Sequence, residues 1–311
     1  MSPLARQAAT VALALAAAGA LVLALGLVLA GGAPPAPPPG LAGDVRIPAW
    51  AGDVAAYAAR LAGVVAVGLG TFVARPFGRD DLRAHAGAAA AGWAAISVLQ
   101  LGLLAWELDG QAGLLATPSG RALVFQAALA AVAAAGWAVT ADAPGRVLAW
   151  PAAAAALLPA VLAGHPRTAD HPWLAGVALS VHVLAAALWV GGFVALAWVA
   201  VAGERWYDVA PRYSTLAGFS ALAVAASGAI ALLGRVTPGD LLDSRYGAIV
   251  LLKMVALVGL VAAGWLQRRH VVANGARRWR GFVALAGCEL ATMAITFGLA
   301  VALSRTPPPA G

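Results

Sequence analysis

The sequence predicts an all-α membrane protein, a polytopic bundle of about nine transmembrane helices, from three observations. The 311 residues are 62% hydrophobic and only 11% charged, with a mean hydropathy of +0.85. Apolar runs of about 20 residues recur along the chain, and each is long enough to cross a hydrocarbon core of ~30 Å. Backbone polar groups in lipid must pair internally, so each run is predicted to be a helix.

The predicted spans follow one another with short connections, in three regions. An N-terminal anchor and spacer (1–50) holds the span 9–31 and the stretch GGAPPAPPPG, which is extended because proline cannot continue a helix. An alternative interpretation of 9–31 is a signal peptide cleaved after Ala30, which leaves eight spans. A short tail (305–311) ends the chain. The main helical domain (51–304) holds the predicted spans 52–74, 85–106, 120–140, 146–163, 173–202, 213–234, 246–268 and 282–304.

The distribution of arginine predicts the orientation, with the N-terminus in the cytoplasm and the C-terminus outside. In this orientation twelve arginines lie on the cytoplasmic side and six on the outer side. Cytoplasmic loops carry an excess of basic residues, and RRHVVANGARRWR (268–280) is the strongest single anchor. The net charge of +7 is therefore attributed to orientation, and lipid rather than nucleic acid is the expected partner.

The five histidines sort by depth in this topology. His85 and His270 lie at the cytoplasmic edge, and His165 and His171 lie in the outer loop GHPRTADHP (164–172). His182 follows nine residues into the sixth span, ~13–14 Å deep at 1.5 Å per residue. The sequence predicts two stations, a capture loop and a buried site, because a helical path from His171 to His182 covers ~16 Å and a His–metal bond is only ~2 Å.

Two methionines are predicted at a depth close to that of His182. Met254 lies ~12 Å and Met293 ~14 Å from the outer face. An imidazole with two thioethers suits Cu(I), a soft ion. Cys288, the only cysteine, lies ~10 Å from the inner face and is a candidate exit ligand. The alternatives are that both methionines fill packing gaps and that Cys288 is a small buried hydrophobe.

Four further side chains complete the set of candidates within the spans. Arg60 and Lys253 lie within reach of the outer interface. Glu289 is deep for a carboxylate, so it is protonated, paired or part of a proton step. Trp189 lies seven residues from His182 and is a candidate to shield the imidazole. The alternative for His182 is a neutral side chain that hydrogen-bonds a neighbouring helix, and for His165 and His171 an ordinary loop role.

Four segments together resemble the copper resistance protein D family, over roughly 52–304. HVLAAALWVGG (182–192), preceded by GHP (164–166), carries the resemblance first. RYSTLAGFSALAVAASGAIALLGRV (212–236) is similar to the Ser/Gly-marked helix of that family, and YGAIVLLKMVALVGLVAAGWLQRR (246–269) to its next helix. RLAGVVAVGLGTF (60–72) resembles its early helix, although Gly63 stands where some members have a histidine.

The resemblance implies a non-enzymatic protein of the bacterial inner membrane that moves copper, often into the cytoplasm. It also implies a periplasmic copper carrier of the C type as partner, which here would be a separate chain. A second hypothesis is a non-transporting factor that delivers copper to an oxidase, for which only His165 and His171 would matter. A haem-binding cytochrome is disfavoured because only His182 is deep enough to be an axial ligand.

Overall fold

The described part of the chain is helical, as predicted. The computed structural model describes residues 19–25, 28, 46–74, 76–108, 113–139, 145–163, 171–202, 206–233, 238–269 and 279–305, and none of these lies in a strand. The helices are α1 (19–25), α2 (Arg46–Val73), α3 (Arg83–Leu108), α4 (Pro118–Ala138), α5 (Gly145–Ala156), α6 (Leu158–Leu162), α7 (Pro172–Ala186), α8 (Gly192–Val201), α9 (Trp206–Leu233), α10 (Pro238–Asp243), α11 (Arg245–Gln267) and α12 (Trp279–Arg305).

Seven helical segments among the described residues are long and apolar enough to span a membrane. They match seven of the predicted spans and make the chain a multi-pass membrane protein. They are Ile47–Val73, Asp80–Leu108, Pro118–Ala138, Pro172–Val201, Trp206–Leu232, Arg245–Gln267 and Ala286–Leu303. The predicted first span, 9–31, lies mostly outside the described residues. The total of nine spans and the N-in, C-out orientation stay predictions.

The predicted span 146–163 forms a shorter, broken unit. Its apolar part, Val147–Leu162, covers ~24 Å at 1.5 Å per residue, less than a ~30 Å core. The helix breaks at Leu157, between α5 and α6. Pro159 has no N–H to donate to the carbonyl four residues earlier, which explains a break at this point.

The outward faces of the helices carry large apolar side chains, the arrangement expected in lipid. A contiguous apolar surface of this extent on a soluble protein would be an aggregation hazard, whereas a bilayer solvates it. Side chains more than half exposed include Val98, Leu99, Phe125, Phe219, Leu222, Val255 and Val258. These faces support lipid contact around the bundle.

The core is centred on α2, which packs against α3, α5, α8 and α12. Small residues on α2 allow this, because they let neighbouring backbones approach closely. The fully buried Phe72 and Trp93 fill the space around the alanines of α3, α4 and α5. In the first half of α2, the Tyr57 hydroxyl lies 3.5 Å from the Ala294 carbonyl oxygen of α12.

One close helix crossing depends on two glycines. A Cβ on Gly191 would collide with the Val64 carbonyl oxygen, and a Cβ on Gly68 would collide with the Gly191 carbonyl carbon. Real Cβ atoms do not approach backbone so closely, so only glycine fits at either position. The Gly-Gly pair 191–192 belongs to the segment that carries the family resemblance, and the structure shows that Gly191 faces α2.

A π-helical turn, Ala187–Gly191, joins α7 to α8 at this crossing. Such a wide turn shifts the helix register and is found frequently at functional sites. Trp189 is buried within the turn, and its carbonyl oxygen accepts a 2.6 Å hydrogen bond from the Tyr213 hydroxyl of α9. The turn therefore has a tertiary partner for one of its carbonyls.

Two arginines connect loops and helix ends that the predicted topology places in the cytoplasm. Arg83 Nη1 donates to the Val139 carbonyl oxygen at the end of α4, at 2.6 Å. Arg212 Nη1 donates to the Pro76 carbonyl oxygen, at 2.9 Å. These contacts place three connections at one end of the bundle, which agrees with the alternation of the predicted spans.

Candidate functional site

His182 is held on α9 by its Nδ1 atom. Nδ1 lies 3.1 Å from the Val224 carbonyl oxygen and 3.3 Å from Ser227 Oγ. The carbonyl can only accept, so Nδ1 carries the proton and donates to it. Ser227 Oγ is itself placed by its own helix, since it donates to the Ala223 carbonyl oxygen. The backbone of α9 therefore selects both the tautomer and the ring orientation of His182.

This tautomer leaves the Nε2 lone pair of His182 available. No hydrogen bond to Nε2 comes from any residue that the structure describes. A metal-binding histidine usually donates its other ring N–H to a carbonyl or carboxylate, which is the arrangement seen here. The same hydrogen bond would satisfy a purely structural histidine, so Nε2 is the atom that distinguishes the two roles.

The site is open on the side of Gly228. A Cβ there would lie 3.5 Å from His182 Cε1 and 3.6 Å from Nδ1, which is ordinary van der Waals contact. The imidazole is half-buried, with room beside it on α9. The sequence alone indicated no role for Ser227 or Gly228, although both lie in the Ser/Gly-marked segment that carried the family resemblance.

Positive charge lies close to His182. Lys253 of α11 interacts electrostatically with His182, and Arg60 of α2 interacts with Lys253. All three side chains are half-buried, at a depth that the sequence places in the outer half of the membrane. Positive charge beside the imidazole would weaken the binding of a cation at Nε2.

The two methionines differ in environment. Met254 is half exposed on the outward face of α11, whereas Met293 is 3% exposed and belongs to the main core. The common depth of His182, Met254 and Met293 stays a prediction. The outward orientation of Met254 weakens the prediction that it shares a ligand set with His182. Met293, in contrast, has the buried environment that either a ligand or a packing role requires.

The outer loop lies largely outside the described residues. His165 falls in that part, while His171 is exposed immediately before α7. At the other end, His85 packs against Trp198, with ring centroids 4.9 Å apart. His270 lies outside the described residues. The capture role of His165 and His171 stays a prediction.

Glu289 and Cys288 lie together on α12, whereas His182 lies on α7. Glu289 is 5% exposed, and its Oε1 has no hydrogen-bond partner among the described residues. Cys288 is exposed, and both side chains line a cavity between α11 and α12. Glu289 also interacts electrostatically with the buried Tyr213. The sequence singled out Glu289 by its predicted depth, and the structure shows it buried beside a cavity.

Preformed clusters of hard or mixed metal ligands are absent from the described part of the chain. No three histidine, cysteine, aspartate or glutamate side chains come together there. A resident structural metal usually has about four protein ligands. The candidate ligands that the structure describes lie apart, with His182 on α7 and Cys288 on α12.

Comparison with known protein families gives a match over part of the chain. Residues 207–303 match the family described as "Copper resistance protein D", a segment that holds α9, α11 and most of α12. Val224 and Ser227, which position His182, lie in it, as do Cys288 and Glu289. No curated protein and no solved structure matches the chain.

Proposed function

We propose that the chain, whose residues 207–303 match the copper resistance protein D family, carries copper inward across the bacterial cytoplasmic membrane. Family membership by itself implies a role in copper resistance or transport. The further step to transport depends on one observation, the orientation of His182 by α9. A ligand with a fixed tautomer and an available lone pair, inside a membrane bundle, is what a copper path requires.

The chemistry of the site agrees with a moving ion rather than a resident one. Neutral imidazole binds copper through nitrogen, and a single protein ligand binds weakly enough for release. Conduction requires binding that is favourable but still allows the ion to leave. His182, at its predicted depth near mid-membrane, meets both needs.

Delivery and capture complete the proposal. His165 and His171 would receive copper at the outer surface and pass it to His182, ~16 Å deeper. A separate periplasmic copper carrier of the C type would supply the ion. Met293 and Trp189 are then accessory residues near the path, as a ligand and as a shield for the imidazole, whereas the half-exposed Met254 faces outward.

The experiment that tests transport is the copper content of cells, measured by mass spectrometry. Wild type, His182→Ala and His85→Ala are compared at matched membrane abundance. His85→Ala is the control because it removes a histidine that packs against Trp198 and lies outside the proposed path. We expect wild type and His85→Ala to raise cell copper and His182→Ala not to.

Equal copper in wild type and His182→Ala cells would contradict transport through His182. The imidazole would then serve only as a hydrogen bond between α7 and α9. A non-transporting factor that delivers copper at the outer face would become the better hypothesis. That role needs the outer-loop histidines, so His171→Ala would impair it while His182→Ala would not.

A further inference from the structure

The cavity between α11 and α12 is the second place where polar side chains meet empty space. Its volume is ≈ 180 Å³, several times the ~30 Å³ share of one water molecule. One wall is α11 and the other is α12, and the small residues of α11 leave the space open. The lining residues are Ala256, Gly259, Leu260, Ala263, Cys288, Glu289 and Thr292.

Glu289 points to a ligand in this cavity independently of the cysteine. It is more than nine-tenths buried, and the described residues offer Oε1 no hydrogen bond. A buried carboxyl oxygen without a hydrogen-bond partner is energetically costly. A cation that enters the cavity, or a proton that its binding releases, would satisfy this oxygen.

Thr292 and Cys288 add two further atoms that could coordinate a cation. Thr292 Oγ1 donates its proton to the Cys288 carbonyl oxygen at 3.0 Å, so its lone pairs stay available. The Cys288 thiol lines the same cavity, one residue before Glu289 and one helical turn before Thr292. The soft thiol sulfur favours Cu(I), whereas Mg²⁺ and Ca²⁺ prefer oxygen ligands such as the carboxylate.

We propose that this cavity is a Cu(I) station on the cytoplasmic half of the path, with Cys288 as the ligand and Glu289 as its proton acceptor. The proposal rests on copper being the cargo. When Cu(I) arrives, the S–H bond of Cys288 breaks, an S–Cu bond forms, and the proton passes to the Glu289 carboxylate. No electron is transferred, and copper stays Cu(I) throughout.

Charge balance favours this exchange in a medium of low dielectric constant. Before binding, the site holds a neutral thiol and one carboxylate, and a monovalent cation enters. Afterwards it holds a neutral thiolate–Cu(I) pair and a neutral carboxylic acid. The buried charge of Glu289 is thereby removed, which avoids the desolvation cost of an uncompensated ion.

The test uses the single cysteine of the chain as its own reporter. The full-length protein in detergent is alkylated with N-ethylmaleimide, with and without stoichiometric Cu(I) under anaerobic conditions or Ag(I) in air. We expect either ion to slow alkylation of Cys288 at least tenfold, and Zn²⁺ to slow it much less. Glu289→Gln should raise the Ag(I) concentration needed for half-protection at least tenfold, and Thr296→Ala should not change it.

Each other outcome overturns the proposal. Alkylation at the same rate with and without Cu(I) excludes copper at Cys288, and equal protection by Zn²⁺ excludes selectivity for a soft ion. Folding of Glu289→Gln is checked by size-exclusion chromatography. Unchanged protection in the folded variant excludes a role for the Glu289 carboxylate in copper binding. If Glu289→Gln does not fold, Glu289→Asp replaces it and should weaken protection to an intermediate degree.

The failure of this station and the failure of transport give different results. His182→Ala should keep Ag(I) protection of Cys288 in detergent, because the two sites lie on different helices. If His182→Ala abolishes copper uptake by cells while Cys288 shows no protection, transport stands and the Cys288 station fails. If Cys288 is protected but His182→Ala cells take up as much copper as wild type, the Cys288 station stands and transport through His182 fails.

Discussion

The Tyr213 hydroxyl of α9 donates a 2.6 Å hydrogen bond to the carbonyl oxygen of Trp189, inside the π-helical turn between α7 and α8. Wide turns disturb the regular backbone ladder and leave a carbonyl in need of a donor. Both groups are buried, so the bond stabilises the turn where water is absent. The same helix, α9, also accepts the hydrogen bond from His182 of α7. His182 lies about two helical turns before Trp189.

Tyr213→Phe tests this contact. The change removes only the hydroxyl and leaves the Trp189 carbonyl unsatisfied. We therefore expect the free energy of unfolding to fall by about 1–3 kcal/mol. Thermal unfolding of the detergent-solubilised protein, followed by size-exclusion chromatography, measures it. Thr215→Val is the control, since it removes a hydroxyl whose bond to Pro211 is exposed. Equal melting temperatures for both variants and wild type would show that the bond contributes nothing.

The crossing of α2 with the π-helical turn predicts opposite effects of glycine substitutions. Gly191→Ala inserts a methyl group against the Val64 carbonyl and should destabilise by about 1–3 kcal/mol or more. Gly92→Ala lies on α3, where a Cβ would meet nothing within 4 Å, and should stabilise by about 0.5–1 kcal/mol through helix propensity. The same unfolding measurement applies. A neutral Gly191→Ala would mean that the helices are not in close contact there.

The surroundings of His182 predict a graded series for copper uptake. Ser227→Ala leaves the Val224 carbonyl as acceptor, so cell copper should fall by less than about tenfold. Gly228→Ala fills a space that fits a methyl group and should be tolerated. Gly228→Leu pushes into the imidazole and should abolish uptake with His182 still present. Full uptake by Gly228→Leu would show that the ring position is unimportant.

A buried polar pair in α3 and α4 predicts a loss of stability without a loss of copper transport. Gln126 Nε2 donates to Ser97 Oγ at 2.9 Å, and both residues are buried. Gln126→Leu should destabilise by about 0.6–2 kcal/mol, the range for a hydrogen bond between membrane helices. Copper uptake at matched abundance should equal wild type, and a loss comparable to that of His182→Ala would place Gln126 on the path.

Orientation is tested by labelling introduced cysteines in a Cys288→Ser background. His171→Cys should react with a membrane-impermeant maleimide in spheroplasts, because the outer loop faces the periplasm in the predicted topology. Arg79→Cys should react only after the membrane is permeabilised. The reverse pattern would place the N-terminus outside and invert the direction proposed for copper.

The sequence predicted the helices well because hydrophobic length is a local property. The spans 120–140 and 173–202 agree with Pro118–Ala138 and Pro172–Val201 within two residues. Bends are harder to locate, because they depend on where a carbonyl loses its donor. The break at Leu157 follows from Pro159, but the π-helical turn at Ala187–Gly191 has no proline and depends on contacts with α2 and α9.

The site was predicted less completely, for a physical reason. The isolated position of His182 in an apolar run makes it a candidate, and the predicted depth of Glu289 does the same. The partner of His182 is a backbone carbonyl 42 residues away, and every residue has such a carbonyl. The cavity beside Glu289 depends on the rotation of α11 against α12, which helix length does not determine.

The position of α2 has a consequence for biosynthesis. This helix leaves the ribosome early, yet its Tyr57 meets Ala294, which is 237 residues further along the chain. Part of its packing surface therefore stays uncovered until α12 is made, while the intervening helices are synthesised and inserted. During that interval lipid or an insertion chaperone must occupy the uncovered side, so a chain that stalls before α12 would expose it to quality-control proteases.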